Sequence, residues 1–282
     1  MKSELKKYRP ILVLIVGSLL VWLIVVFYFA DDYIAQFINS EEPYTLERET
    51  AFYNFYYAMS LIWGLLAVYT FVLCINVFSL KTITGKIWLL LTVAMVLWFL
   101  GDLYYALEWF INHNTDLPSI HFGRVCYIIG FSFILVGLAA QLMVGGLKIP
   151  KKEFGYITII EGIFLTFSLV CIVLVSQLEV YEDFGEFDKG ILVFYLIFDE
   201  VNIFLSIILI FKYRGGQFSR GWLIISIGFM VEATYDMLYI YMDVIFELEN
   251  AWYFFDPVYY LMYVVLAVGA LYLFLAVRSA HA

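Results

Sequence analysis

Three carboxylates occur close together in an otherwise apolar stretch, FMVEATYDMLYIYMD, at residues 229–243. Glu232 and Asp236 are four residues apart and Asp243 follows seven residues later, so a helix would carry all three on one side. In the middle of a bilayer an ionised carboxylate costs at least about 2.5 kcal/mol. Such a group needs a proton, a bound cation, a cationic ligand or a water-filled cavity.

The composition places this stretch in a membrane. Of 282 residues, 64% are hydrophobic and 20% aromatic, and the mean hydropathy is +0.91. These values exclude an ordinary soluble domain. About 20 apolar residues span a bilayer as a helix, and the sequence predicts an all-α, polytopic membrane protein with eight transmembrane helices. The eight segments are 11–30, 54–78, 87–111, 122–146, 156–177, 191–211, 221–242 and 255–277.

Basic residues predict the orientation, because Lys and Arg accumulate in short cytoplasmic loops. One side of the predicted topology holds thirteen of the sixteen, leaving Arg48, Arg124 and Lys189 on the other. The thirteen are Lys2, Lys6, Lys7, Arg9, Lys81, Lys86, Lys148, Lys151, Lys152, Lys212, Arg214, Arg220 and Arg278. We therefore expect a multi-pass protein of the cell membrane with both termini cytoplasmic. The net charge of −9 describes an acidic outer face. The basic residues are spread over short cytoplasmic loops and form no basic patch, so no nucleic-acid partner is predicted.

The chain shows an internal repetition. Shifting the chain by 134 residues matches Trp88 with Trp222, Leu89 with Leu223, Asp102 with Asp236 and Tyr105 with Tyr239. In the next helix a shift of 132 residues matches Tyr127 with Tyr259, Val136 with Val268 and Gly137 with Gly269. This predicts two tandem four-helix repeats, 1–149 and 150–282. An even number of spans per repeat makes the copies parallel, with a pseudo-twofold axis along the membrane normal.

The repeat places the carboxylates in depth. Counted at about 1.5 Å per residue from Trp88 and Trp222, Asp102 and Asp236 both lie about 21 Å from the cytoplasmic ends. Glu232 lies one turn deeper, where the first copy has Trp98. We expect an outward-facing acidic pocket between the repeats, formed by Asp102, Glu108, Arg124, Asp199, Glu200, Glu232, Asp236 and Asp256, and a solvated Asp243. The alternative is that tyrosine hydroxyls satisfy these carboxylates as structural contacts between helices.

Neither a metal nor a cofactor is predicted. Cys74, Cys126 and Cys171 lie within apolar segments without paired spacing, so buried thiols are favoured over disulfides. The stretch HNTDLPSIH, with His113 and His121, contains residue types that bind zinc, but a polar turn is the better-supported interpretation.

One stretch, WFLGDLYYALEWFINHNTDLPSIHFGRVCYIIGFSFILVGL, resembles the multi-span membrane regions that precede diguanylate cyclase, phosphodiesterase or histidine kinase domains in many prokaryotic signalling proteins. The positions that carry the resemblance are Gly101, Asp102, Pro118, Ser119, Tyr127, Gly130 and Gly137 in the first copy, and Asp236, Asp256, Tyr259 and Gly269 in the second. The second copy has no Pro-Ser pair, and Arg124 stands where that pattern has an acidic residue.

The resemblance implies a sensory module that binds a small molecule or a lipid. The chain ends at SAHA, shortly after the last predicted helix. We therefore expect no output domain, and a cytoplasmic or membrane signalling partner in its place.

Two further hypotheses remain open. The eight segments and the Gly-Asp at 101–102 are similar in layout to the lysoplasmalogenase family, membrane hydrolases of vinyl ether lysolipids. That resemblance implies Asp102 and Asp236 as general acid and activator of water, although the family's His-containing helix has no clear match here. A proton-coupled transporter is the third hypothesis, but all five prolines lie at helix ends or in loops and predict no broken helix. Sensing is the first hypothesis.

Overall fold

A computed structural model of the chain describes residues 46–112, 117–146, 149–178, 185–214, 218–245 and 252–280, together with scattered positions between 9 and 24. Within these ranges the regular structure is helical, which confirms the predicted all-α class. The elements are α1 (Leu46–Phe78), α2 (Ile83–Asn112), α3 (Phe122–Met143), α4 (Lys151–Gln177), α5 (Glu186–Lys212), α6 (Ser219–Tyr239), a π-helix (Ile240–Ile245) and α7 (Trp252–Ala280).

Seven of the described helices are long and apolar enough to cross a membrane. They coincide with the predicted segments from 54–78 to 255–277, and the chain is a multi-pass membrane protein. The first predicted segment, 11–30, falls largely outside the described residues. Its described positions are helical, and Ile15 is buried in the main core.

The helices extend beyond the apolar segments into polar ends. α2 begins four residues before the predicted boundary at 87, because Thr82 caps it: its Oγ1 accepts a hydrogen bond from the Gly85 amide at 3.0 Å. At the other end of the bundle, the predicted segment 221–242 is divided between α6 and the π-helix.

Six of the described helices form a closed ring. Chain neighbours pack in the pairs α1–α2, α2–α3, α5–α6 and α6–α7, and the ring closes because α3 packs against α5 and α1 against α7. α4 lies outside the ring against α5 and the π-helix. Only 17% of the apolar window of α4 is buried, compared with 78% in α7, so α4 is peripheral and α7 central.

Glycines allow close contact between neighbouring helices. A Cβ at Gly137 would lie 2.7 Å from Leu91 Cδ2, and one at Gly269 would lie 2.7 Å from Ile225 Cγ1. Small residues at such contacts let helix backbones approach closely in membranes. The indole rings of Trp88 and Trp222 are 5.6 Å apart and join α2 to α6.

Basic side chains gather at one end of the bundle, here called the basic end. Its residues are Lys81, Lys86, Lys151, Lys152, Lys212, Arg214, Arg220 and Arg278. Lys212 of α5 reaches across to the C-terminus of α3, where Nζ donates to the carbonyl oxygens of Gln141, Leu142 and Val144 at 3.0, 2.6 and 2.6 Å. The last carbonyls of a helix lack hydrogen-bond donors within the helix, and the Lys212 ammonium provides these donors.

Candidate functional site

A cavity of about 560 Å³ lies at the end of the bundle opposite the basic end. The N-terminal parts of α1, α3, α5 and α7 and the C-terminal parts of α2 and α6 form it. Ten of the eighteen described lining residues are tyrosines: Tyr53, Tyr56, Tyr57, Tyr105, Tyr127, Tyr195, Tyr235, Tyr239, Tyr259 and Tyr260. The wall therefore presents aromatic rings that end in hydroxyl groups.

Among the described residues, four charged side chains line the cavity, namely those of Asp102, Arg124, Glu232 and Asp236. The guanidinium of Arg124 donates from Nη1 to the Ser119 carbonyl at 2.6 Å and lies 3.7 Å from Asp188 Oδ1. Arg124 is therefore partly neutralised by a group outside the lining. Three carboxyl groups facing one engaged cation make the cavity acidic.

Asp102 is held by two tyrosines from other helices. Tyr127 Oη of α3 donates to Oδ1 at 2.5 Å, and Tyr263 Oη of α7 donates to Oδ2 at 2.6 Å. The Asp102 residue is only 2% exposed, so these hydroxyls replace water around the carboxylate. Asp102 thus fits the alternative in which tyrosine hydroxyls satisfy the carboxylates as contacts between helices, and it also lines the cavity.

Gly101, which precedes this aspartate, leaves room for the ring of Tyr127. A Cβ at position 101 would lie 2.6 Å from Cε1 and 2.9 Å from Cζ of the Tyr127 ring. The absent side chain allows that ring to lie against α2, where its hydroxyl reaches Asp102. The Gly-Asp pair thus forms one structural unit with Tyr127.

Replacing Gly101 with alanine is therefore expected to lower the free energy of unfolding by about 1–3 kcal/mol, the usual cost of overpacking, and to weaken the Tyr127–Asp102 hydrogen bond. Thermal unfolding in detergent measures the change. Gly162→Ala in α4 is the control, because nothing lies within 4 Å of the Cβ it would add. Equal stability of the two variants would contradict the packing argument.

A second acidic group lies at the cavity wall. One carboxylate oxygen from each of Asp199, Glu232 and Asp236 lies within 4.8 Å of the other two. Asp199 and Glu232 are 0% and 1% exposed. Asn202 Nδ2 donates to Glu232 Oε2 at 3.1 Å and to the Phe229 carbonyl at 3.3 Å, which joins α5 to α6. We call Asp199, Asn202, Glu232 and Asp236 the carboxylate cluster.

The structure separates the predicted site residues. Asp199 joins the carboxylate cluster behind the lining, whereas its chain neighbour Glu200 lies beside Glu161 of α4. Consecutive residues of a helix point about 100° apart, so only one of the two faces α6. Glu108 is not among the cavity residues, and its Oε2 accepts from Asn112 Nδ2 at 2.6 Å. The side chains of Asp243 and Asp256 lie outside the described residues.

His121 is the N-cap of α3, in the loop where a polar turn was expected; residues 113–116 of that loop lie outside the described residues. Its Nδ1 accepts from the Arg124 amide at 3.2 Å, so Nε2 carries the hydrogen and donates to Tyr105 Oη at 3.0 Å. Burial, followed by the charge of Arg124, lowers the pKa of His121 to about 4. At neutral pH it is an uncharged structural cap.

The three thiols, Cys74, Cys126 and Cys171, are free and buried, as predicted.

Comparison of the chain with family models, with curated proteins and with solved structures finds no match. Both family resemblances stay hypotheses, and the function is inferred from the site.

Proposed function

We propose that this membrane protein is a sensory module that binds a small organic ligand carrying a protonated amine in its outer cavity. The observation that carries the proposal is the composition of the described cavity wall, where ten tyrosines surround Asp102, Glu232 and Asp236. Arg124, the one arginine among the described lining residues, is engaged by the Ser119 carbonyl and by Asp188. A cation over aromatic rings gains about 0.5–1 kcal/mol at exposed sites and about 2 kcal/mol or more when desolvated.

The size of the cavity agrees with this ligand class. Sites for small molecules commonly measure about 300–1,000 Å³ and combine an apolar wall with a few polar groups; the cavity here has about 560 Å³. An ammonium group would also relieve the repulsion between Glu232 and Asp236, which are one helical turn apart. A free amine and the ammonium headgroup of a lipid share this chemistry.

The proposal includes two four-helix repeats, 1–149 and 150–282. The packing pairs support it: α2–α3 corresponds to α6–α7, and α3–α5 corresponds to the contact of α7 with α1. The contact of Gly137 with Leu91 has its counterpart in that of Gly269 with Ile225. The ligand would then bind between the repeats and change the α3–α5 and α1–α7 contacts.

The proposal also includes the orientation, with both termini and the basic end in the cytoplasm and the cavity open to the outside. Its support is the distribution of lysine and arginine. In this arrangement the basic end is the surface on which a signalling partner would receive the change, since the ligand arrives on the opposite side.

Equilibrium binding of amines to the purified protein tests the function. Aryl-alkyl amines should bind, and Asp102→Asn and Asp236→Asn should each weaken binding about tenfold or more, because a hydrogen bond to a charged group contributes about 1.5–3 kcal/mol. Glu108→Gln is the matched control, a carboxylate of α2 outside the lining, and should bind normally. Unchanged binding in both aspartate variants would refute the proposal.

The source of the amine is distinguished by two arms of this experiment. In one arm, a soluble amine is added to protein in nanodiscs of phosphatidylglycerol, whose headgroup carries no ammonium. In the other, phosphatidylethanolamine replaces part of that lipid before the same amine is added. Weaker amine binding in the second arm identifies a lipid headgroup as the ligand, and unchanged binding identifies a free amine.

One observation favours a second candidate: Asp102 and Asp236, the pair implied by the lysoplasmalogenase resemblance, line the same cavity. Both oxygens of Asp102 already accept tyrosine hydroxyls, which leaves this carboxylate poorly placed to activate water. Release of aldehyde from a vinyl ether lysolipid, lost in either asparagine variant, would establish hydrolysis in place of sensing.

A further inference from the structure

The carboxylate cluster begins at the cavity wall and extends into the packing between α5 and α6. Glu232 and Asp236 line the cavity, whereas Asp199 and Asn202 do not. We propose that Asp199, Asn202, Glu232 and Asp236 form a binding site for a divalent cation, with Ca²⁺ as the ion that fits best. This site goes beyond the proposed amine site, because it shares Glu232 and Asp236 with the cavity and adds Asp199 and Asn202, which do not line it.

The geometry matches the coordination sphere of Ca²⁺. Oxygen ligands lie about 2.3–2.6 Å from Ca²⁺, so two ligands on opposite sides of the ion are about 4.6–5.2 Å apart. The oxygens of Asp199, Glu232 and Asp236 all lie within 4.8 Å of one another. One oxygen from each of the three carboxylates can therefore belong to the coordination sphere of a single ion. Carboxylate and amide oxygens are the ligands that hard divalent cations prefer.

Unpartnered polar atoms provide an independent indication. Among the described residues, neither oxygen of Asp199 has a hydrogen-bond partner, and the same is true of Glu232 Oε1 and Asn202 Oδ1. Asp199 and Asn202 are both 0% exposed. The Asn202 side chain already contacts Glu232 through Nδ2, which keeps its amide at the cluster. A cation would give these oxygens the partner that burial otherwise denies them.

The cavity provides the entry path, because Glu232 and Asp236 belong to both sites. An ion bound there would neutralise most of the charge of the carboxylate cluster. Asp102, which α2 contributes and two tyrosines hold, would remain as the carboxylate that faces the amine. The two sites are therefore separable by mutation.

Calorimetric titration of chelator-treated protein with Ca²⁺ alone, at fixed ionic strength, tests the site. We expect one Ca²⁺ per chain, and Asp199→Asn should weaken binding at least tenfold. The matched control is Glu200→Gln, which changes the adjacent carboxylate on the other side of α5 and should leave Ca²⁺ binding unchanged. Asp102→Asn should also bind Ca²⁺ normally, although its amine binding is weakened.

Ca²⁺ should also raise the thermal unfolding temperature of the unmodified protein and of Glu200→Gln. This second measurement keeps the test decisive if Asp199→Asn does not fold. Absence of Ca²⁺ binding to the folded, unmodified protein would overturn the proposal and would indicate that the carboxylate cluster holds protons. Equal binding by Asp199→Asn and Glu200→Gln would overturn it as well. Ca²⁺ binding without amine binding would refute only the proposed function.

Discussion

Replacement of Asp102 with leucine is expected to lower the free energy of unfolding by about 3–6 kcal/mol, the larger of the two main effects that we predict. The carboxylate accepts hydrogen bonds from Tyr127 and Tyr263, which connect α2 to α3 and to α7. Each hydrogen bond to a charged group contributes about 1.5–3 kcal/mol. Leucine accepts neither bond and leaves two hydroxyls without partners in a buried environment. Thermal unfolding in detergent, followed by circular dichroism, measures the loss.

Two variants separate this effect from the loss of charge. Asp102→Asn keeps the shape and one acceptor oxygen, so it should lose clearly less stability than Asp102→Leu. Adding Tyr127→Phe to Asp102→Leu should restore part of the stability, because it removes one of the hydroxyls that lost its partner. An Asp102→Leu protein as stable as Asp102→Asn would show that the two hydrogen bonds contribute little.

Replacement of Lys212 with methionine is the second large effect, with an expected loss of about 2–4 kcal/mol. The ammonium donates to three carbonyl oxygens at the C-terminus of α3. Hydrogen bonds from a charged donor contribute about 1.5–3 kcal/mol each, and water at this end of the bundle would replace part of them. The contact of α3 with α5 should loosen as well, which hydrogen exchange of the α3 C-terminus would detect.

Arg214→Met is the matched control at the same end of α5. Its guanidinium lies 3.3 Å from Glu153 and its side chain is 69% exposed. Exposed ion pairs contribute about 0–1 kcal/mol, so this variant should change stability little. Equal losses in the two variants would mean that Lys212 acts through its charge rather than by capping α3.

The apolar segments predicted the membrane helices because the signal is local. About 20 apolar residues in a row identify a span whatever surrounds it, and seven described helices coincide with the segments from 54–78 to 255–277. The peripheral position of α4 could not be predicted in this way. It depends on which helices pack together, and segment 156–177 is as apolar as the central segment 255–277.

The charged part of the cavity was also predictable, because Asp102, Arg124, Glu232 and Asp236 stand out in apolar surroundings. The sequence could not predict that Asp199 faces α6 and Glu200 faces α4. Which of two adjacent residues faces which neighbour depends on the rotation of α5 about its own axis. The tyrosines of α1 could not be assigned to the cavity from the sequence, because aromatic residues are common in helix packing and at membrane interfaces. Asn202 carries no charge, so the sequence gives no signal for its place beside Glu232.

Whether the cavity recognises an ammonium group is decided by comparing the binding of an aryl-alkyl amine with that of the neutral alcohol of the same shape. We expect the purified protein to bind the protonated amine about tenfold or more tightly than the alcohol, because aromatic faces and carboxylates hold the ammonium group. We also expect Asp102→Asn to reduce this preference. Equal affinity for the amine and the alcohol would contradict the assignment of the cavity as an amine-binding site.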